Sequence, residues 1–145
     1  MGAPSPVPTR TFDFTKVTIV WGNIPITGGV ESIKVGRAED SFTYHVSADG
    51  TVTRVVNNNK MGSIVVVFAQ NAPILDRLSA QLQLDEATGG QAAPISVRDG
   101  NGTSLATAPF AWIKKPPEME FQKEATMREI AFDCDKLTHT FGGLT

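Results

Sequence analysis

The run Ile64-Val65-Val66-Val67-Phe68 constrains this chain more than any other segment. In an antiparallel sheet one face commonly meets the core and the other meets water, so strands alternate apolar and polar residues. A strand that is apolar at every position needs cover on both faces. In a chain of 145 residues, a neighbouring subunit is one source of the second cover.

Length and composition bound the rest. A chain of this size fits one domain and buries roughly two-thirds of its unfolded surface. Charged residues make up only 19 % and apolar residues 41 %, with 13 glycines and 9 prolines, as in an ordered chain rich in turns. The net charge of −2 is spread with mixed signs. A dedicated nucleic-acid binder needs a positive field, and mild acidity repels phosphate instead.

The single cysteine, Cys134, excludes an intrachain disulfide and a thiolate zinc cluster, and it suits folding in a reducing cytoplasm. Its simplest role is that of a small, semi-buried residue. No apolar stretch approaches the ~18 to 20 residues of a membrane span. Met1–Arg10 has neither the basic nor the apolar region of a secretory signal.

Read along the chain, Met1–Phe14 is an extended arm punctuated by Pro4, Pro6 and Pro8, which remove backbone donors and bias their predecessors away from helix. Thr15–Trp21 alternates as a strand, Gly22-Asn23-Ile24-Pro25 turns it, and Val30–Arg37 forms a second strand.

The hairpin over Ser41–Val56 has two candidate registers. A two-residue turn at Asp49-Gly50 sets Phe42 opposite Asn57 and Val46 opposite Thr53. A three-residue loop, Ala48-Asp49-Gly50 with Gly50 left-handed, instead pairs Val46 with Val52, Tyr44 with Arg54 and Phe42 with Val56. The second register keeps like with like and is the expected one. Its other face carries Thr43, His45, Ser47, Thr51, Thr53 and Val55, mostly hydroxyl-bearing.

Pro73–Ala87 is the one helix expected: Ile74, Leu75, Leu78 and Leu82 recur at helical spacing, Asn71 or its successor caps the start, and Gly89-Gly90 ends it. Ile95–Arg98 and Thr103–Ile113 flank the turn Asp99-Gly100-Asn101-Gly102, and Thr126–Cys134 closes the fold. About seven strands and one helix point to a mainly β chain, a two-sheet antiparallel β-sandwich or partly closed β-barrel. The organisation expected is an N-terminal arm over 1–14, one domain over 15–133 with its helix at about 73–87, and a C-terminal tail over 134–145.

No catalytic, cofactor or metal site emerges. His45 and His139 lie far apart, without the spacing that places two ligands on one metal. Asp133 and Asp135 beside Cys134 oppose thiolate formation. Gly28-Gly29 and Gly100-Asn101-Gly102 lack the strand, loop and helix order of a phosphate loop, and Glu118, Glu120 and Glu124 read as a solvated connection.

An ordered set of segments resembles the tail tube proteins of contractile-tailed bacteriophages. It comprises Glu39-Asp40-Ser41-Phe42-Thr43, Ala48-Asp49-Gly50, Asn57-Asn58-Asn59, the apolar strand beginning at Gly62 and the Leu-rich helix ending in Thr88-Gly89-Gly90. Further along come Asp99-Gly100-Asn101-Gly102-Thr103, Ala111-Trp112-Ile113-Lys114-Lys115-Pro116-Pro117, Glu120-Phe121 and Arg128-Glu129. The resemblance covers about Thr11–Phe132; the Pro-rich leader and the residues after Cys134 depart from it.

What the resemblance implies is a non-enzymatic structural protein of the virion, assembled in the host cytoplasm. Its subunits would build hexameric rings that stack into a hollow tube, joined edge to edge around a lumen through which DNA passes. The implied partners are further copies of the chain, the tail sheath protein, and the tape measure, baseplate and tail terminator proteins; no membrane is involved. Genomic DNA is met in transit only, because a basic lumen would hold it.

Within that frame Asp40–Lys60 is the expected contact between stacked rings, with Asp40, Ser41, Thr43, His45, Asp49, Arg54, Asn57, Asn58, Asn59 and Lys60 as candidate contact residues. Phe12, Phe14 and Phe141 on the terminal arms are candidate contacts to a neighbouring subunit or the sheath. The alternative is a monomeric β-sandwich module that binds carbohydrate or a cell surface. Such modules display aromatic platforms, whereas Trp21 and Trp112 both fall within alternating strands, where burial is expected.

Overall fold

The computed structural model describes residues 11–143, with ten β-strands and one α-helix among them. The strands are β1 (Val17–Trp21), β2 (Ile24–Pro25), β3 (Val30–Arg37), β4 (Phe42–Val46) and β5 (Val52–Val56). They continue as β6 (Gly62–Ala69), β7 (Ala93–Asp99), β8 (Leu105–Ile113), β9 (Met127–Asp135) and β10 (Thr138–Thr140). Helix α1 (Ile74–Thr88) lies between β6 and β7.

Eight strands form one antiparallel sheet in the order β2-β1-β7-β8-β9-β6-β3, with β10 added to β8. β4 and β5 form a second sheet of their own. The large sheet curls: Val17 and Ile19 of β1 line the same cleft as Val30 and Ile33 of β3, its opposite end. The gap is bridged by the loop between them, where Ile26 N–H donates to Ile19 O at 2.9 Å and Ala69 N–H donates to Gly29 O at 2.7 Å. β1 and β3 are not ladder partners, so the barrel stays open along this seam.

The concave face carries the core. β6 sits between β3 and β9, and its even-numbered residues Ile64, Val66 and Phe68 are fully buried. β9 supplies Ile130, Phe132 and Cys134 in register with them. Trp21 meets Phe132 edge to face at 5.2 Å and donates its indole N–H to Ala111 O at 2.9 Å, which satisfies its one polar atom. Helix α1 closes the core with Ile74, Leu78 and Leu82.

The apolar run is thus central, as its composition requires. Its convex face finds partial cover within the chain: Val65 lies between Lys34 and Ala131, and Val67 between Ser32 and Glu129, and both valines are half-buried.

Local details differ from expectation where tertiary contacts decide. Phe14–Lys16 is a 3-10 turn rather than the start of β1. Asp13 caps it by accepting from the Thr15 N–H and hydroxyl, and these bonds hold its carboxyl below the ordinary range. After the turn at Gly22-Asn23, Ile24-Pro25 pairs with Val20 and Trp21 as β2.

Helix α1 starts at a proline cap without a side-chain bond, so Asn71 does not serve there. Backbone bonds from Leu75 N–H to Ala72 O and from Asp76 N–H to Pro73 O tie the first turn instead. Residues expected as a C-terminal tail continue the body: β9 reaches Asp135, Leu137 is fully buried, and β10 pairs with Leu105–Thr107 of β8.

Candidate assembly surfaces

The β4–β5 hairpin is the part of the chain that its own fold leaves unserved. Its register is Phe42–Val56, Tyr44–Arg54 and Val46–Val52, with Thr43–Val55 and His45–Thr53 on the alternate face. The turn is the three-residue loop: Ser47 N–H donates to Thr51 O at 2.8 Å, Gly50 N–H donates to Ser47 O at 2.9 Å, and Gly50 has φ +89°. Asp49 accepts from Thr51 N–H at 3.0 Å, and that bond lowers its carboxyl pKa.

Every hairpin residue is exposed. One face sets Phe42, Tyr44, Val46, Val52 and Val56 side by side, with Tyr44 76 % exposed. The only charge on that face is Arg54, whose guanidinium lies 4.2 Å from the centre of the Phe42 ring. A two-stranded hairpin is marginal in water by itself. This one leaves an apolar ribbon in solvent.

The base of the hairpin is firmly mounted. Asn57 donates from Nδ2 to Glu39 Oε2 at 2.9 Å and to Asp40 O at 3.0 Å, and Asn57 N–H donates to Ser41 O at 2.9 Å. Asn57 Oδ1 accepts from Asn59 N–H at 2.9 Å, and Asn59 Oδ1 accepts from Met61 N–H at 3.1 Å. Arg37 reaches Ser41 Oγ at 3.1 Å and Leu137 O at 2.9 Å. Leu137 N–H in turn donates to Lys60 O at 2.9 Å.

The candidate contact residues therefore divide by position. Ser41, Asn57 and Asn59 are engaged in building the hairpin's base, Asp40 contributes its carbonyl there, and Asp49 orders the tip. Thr43, His45, Arg54, Asn58 and Lys60 present exposed side chains. Phe42, Tyr44, Val46, Val52 and Val56 were absent from that set. Their signal lay in the register, since pairing like with like also gathers the apolar residues on one face of a ribbon with no third layer.

The aromatic residues near the termini lie apart from the hairpin. Phe12 and Phe14 are exposed beside the turn that Asp13 caps, and the Asp13 backbone is held by Asn101 through Asp13 N–H to Oδ1 at 3.0 Å and Nδ2 to Asp13 O at 2.8 Å. Phe141 is 88 % exposed and meets His139 edge to face at 6.2 Å. Met1–Arg10 lie outside the described residues.

Groups for chemistry do not converge. Among the described residues no cluster of His, Cys, Asp and Glu is placed to hold a metal ion. Cys134 is buried, and burial first, with the Asp133 charge second, pushes its thiol up to about 11. Among the described residues no helix is long and apolar enough to cross a membrane.

Comparison with known proteins meets this picture. The family described as the Bacteriophage PhiTE tail tube protein matches residues 22–142. The structural protein ORF10 of Pseudomonas phage KPP10 is 30 % identical, over 93 % of this chain and 84 % of its own length. Among solved structures, the anti-feeding prophage cap, which terminates the AFP tube, is similar with a TM-score of 0.66 at 9 % identity, over 94 % of this chain and 95 % of that one. A chain of the PVC sheath-tube complex in the extended state gives 0.58 at 10 % identity, over 90 % and 91 %. A chain of the PVC sheath/tube terminator gives 0.56 at 12 %, over 97 % and 100 %. At such identities these structures share the fold with this chain. The family match spans most of the sequence, and the chain belongs to the Bacteriophage PhiTE tail tube protein family: it is a structural protein of the phage tail, part of the virion and not an enzyme.

Proposed function

We propose that this chain assembles into hexameric rings that stack as the hollow tube of a contractile tail, and that the β4–β5 hairpin makes the contact between rings. The observation that carries this reading is the hairpin's apolar face, exposed along its whole length. Soluble monomers rarely keep such contiguous patches in water unless they bind something. A subunit that lives between two others has that cover.

Ring closure has a separate candidate in β3. Its eight residues have β6 as their one ladder partner among the described strands. Pairing of identical edges around a closed ring satisfies those backbone groups and removes the hazard of an open edge. Phe12, Phe14 and Phe141, with the arm over 1–14 and the segment over 134–145 apart from its buried Cys134 and Leu137, are the proposed contacts to neighbouring subunits or to the sheath. The tape measure, terminator and baseplate proteins would meet the tube at its lumen and ends. DNA would pass without being held, in keeping with the net charge of −2.

The test is negative-stain electron microscopy of the purified protein, with light scattering across a concentration series. Rings or hollow tubes are expected from the natural sequence. A variant in which Ala48–Thr51 is replaced by a shorter turn should give single rings that do not stack. Normal tubes from that variant would refute the role of the hairpin, and a strictly monomeric natural protein that binds a glycan would favour the binding-module reading.

A further inference from the structure

The hairpin has a counterpart on the same chain. β6 runs from Gly62, where the base of β4–β5 is tied, to Ala69, where the chain turns toward α1. Eight residues of strand span roughly 26 Å. The connection from Lys114 to Thr126 lies alongside α1, and between them opens a cleft of about 550 Å³. The hairpin is tied at the Gly62 end of β6, whereas the cleft runs along the sheet from Gln70 and Arg128, beside Phe68, to Ile113, level with Ile64.

The cleft is mostly apolar, with Leu75, Leu82, Ile113 and Ile130 among its walls and Met119 and Phe121 at the connection. Met119 and Phe121 are 70 % and 75 % exposed, an unusual position for two large apolar side chains on a surface connection. Asp76 and Glu86 of α1 also line it, and both are exposed. Its one buried cation, Arg128, is already turned inward, donating to Thr126 Oγ1 at 2.9 Å with its guanidinium 5.4 Å from the Phe121 ring centre.

The two surfaces are complementary in three respects. Both are apolar, and the hairpin face and the Met119 and Phe121 edge of the cleft are exposed in the lone chain, the latter over a floor of buried Leu82, Ile113 and Ile130. The ribbon's single charge is the cation of Arg54, and the exposed charges on the helix wall are the carboxylates of Asp76 and Glu86. The ribbon also fits within the helix's length, since five residues of strand measure about 17 Å and fifteen residues of helix about 22 Å.

We propose that the apolar face of β4–β5 seats in the α1 cleft of a second copy of this chain in the next ring along the tube. The contact is head to tail, two different patches meeting, so each subunit that docks its hairpin still offers its own cleft, and growth continues along the axis. One hairpin covers far less than the ~800 Å² per partner of a stable interface. The contact is weak singly and becomes strong when repeated around a ring.

This inference rests on the tube reading and names the surface that receives the hairpin. The test uses two full-length variants, Thr53→Cys on the hydroxyl-bearing face of the hairpin and Ser79→Cys on α1 at the cleft, mixed and treated with a short bis-maleimide. Both positions are exposed and lie outside the apolar ribbon, so the substitutions leave the core and the ribbon intact, and the buried Cys134 thiol stays silent. Under conditions where microscopy shows tubes, the mixture should give a covalent dimer that neither variant forms alone. Tubes without that dimer overturn the docking while leaving tube formation in place. A dimer from Thr53→Cys alone overturns it in favour of hairpin-to-hairpin packing. Absence of rings and tubes from the natural protein removes both readings. As a second readout, Arg54→Glu should raise the concentration needed for tubes about tenfold, because a modest charge pair is multiplied around the ring. Adding Asp76→Arg and Glu86→Arg to that variant should restore it, and failure to restore counts against the pairing.

Discussion

β5 and β6 are both valine-rich and stand only a few residues apart, yet they meet opposite fates. β6 has β3 on one side and β9 on the other, and its residues alternate between fully buried and half-buried. β5 has β4 alone, and Val52, Val55 and Val56 all face water. Residue content does not decide burial here; the number of layers around the strand does. Apolar side chains on β6 contribute to folding, whereas those on β5 contribute nothing comparable until another molecule arrives. On the proposed reading, folding and assembly are carried by separable sets of residues, and mutation should separate them.

The largest effect on folding is expected at the centre of the curled sheet. Phe132 is fully buried, pairs with Ile64 of β6, and meets Trp21 edge to face. Phe132→Ala should cost about 3–5 kcal/mol, from lost burial plus the cavity left among β6, β8 and β9. Urea unfolding of the isolated subunit measures it. A loss under about 1 kcal/mol, the range of an ordinary surface change, would mean that the body is not built around this strand pair.

Next comes the joint between the two regions. A β-carbon at Gly62 would overlap the Leu137 side chain and stand 2.8 Å from Gly36 O. Gly62→Ala should therefore destabilise by about 1–3 kcal/mol through overpacking. Since Leu137 also accepts from Arg37 and donates to Lys60 at the hairpin's base, the variant should disturb ring stacking as well. A fully stable Gly62→Ala protein that also stacks normally would show that body and hairpin are not coupled at this point.

Much of the body was legible in the sequence, and the reasons are local. Ile33-Lys34-Val35 in β3 carries its own alternation, and the hairpin register followed from pairing apolar residues across a three-residue loop that only a residue tolerant of positive φ can close. The helix ended at Gly89, whose N–H donates to Asp85 O at 2.6 Å. The elements that escaped are too short to carry a pattern of their own. β2 is two residues long and exists because Val20 and Trp21 are there to pair with it, and β10 exists because β8 has an edge free beyond β9. The proposed assembly surfaces were only half legible. The hairpin could be placed, but the α1 cleft is made by segments some forty residues apart in sequence, and neither segment signals the other.

Cys134 offers a smaller test within the body. Its thiol is pushed up to about 11, chiefly by burial, so the folded state holds the proton more tightly than the unfolded chain does. The stability this contributes is fully present below the ordinary thiol range and is lost as pH rises toward about 11. At pH 8 the folded protein should resist alkylation by iodoacetamide, while protein unfolded in urea reacts. Ready labelling of the native subunit would mean that β9 opens at this position.

The smallest folding effect should accompany the largest assembly effect, and Tyr44 is where the two diverge. Its ring stands opposite Arg54 on a ribbon with no layer above it, and it is 76 % exposed. Tyr44→Ala removes a cross-strand pair worth roughly 0.2–1 kcal/mol, and that loss is confined to a hairpin whose unfolding need not unfold the body. Urea midpoints for the body should be unchanged within error, while tubes seen by microscopy should give way to single rings. If instead Tyr44→Ala lowers the stability of the lone subunit as much as a core truncation, the hairpin is part of the folding unit and the division between β5 and β6 fails. If tubes form as before, the apolar ribbon is not the contact that stacks them, and the cover for Phe42, Val46, Val52 and Val56 has to come from a different partner.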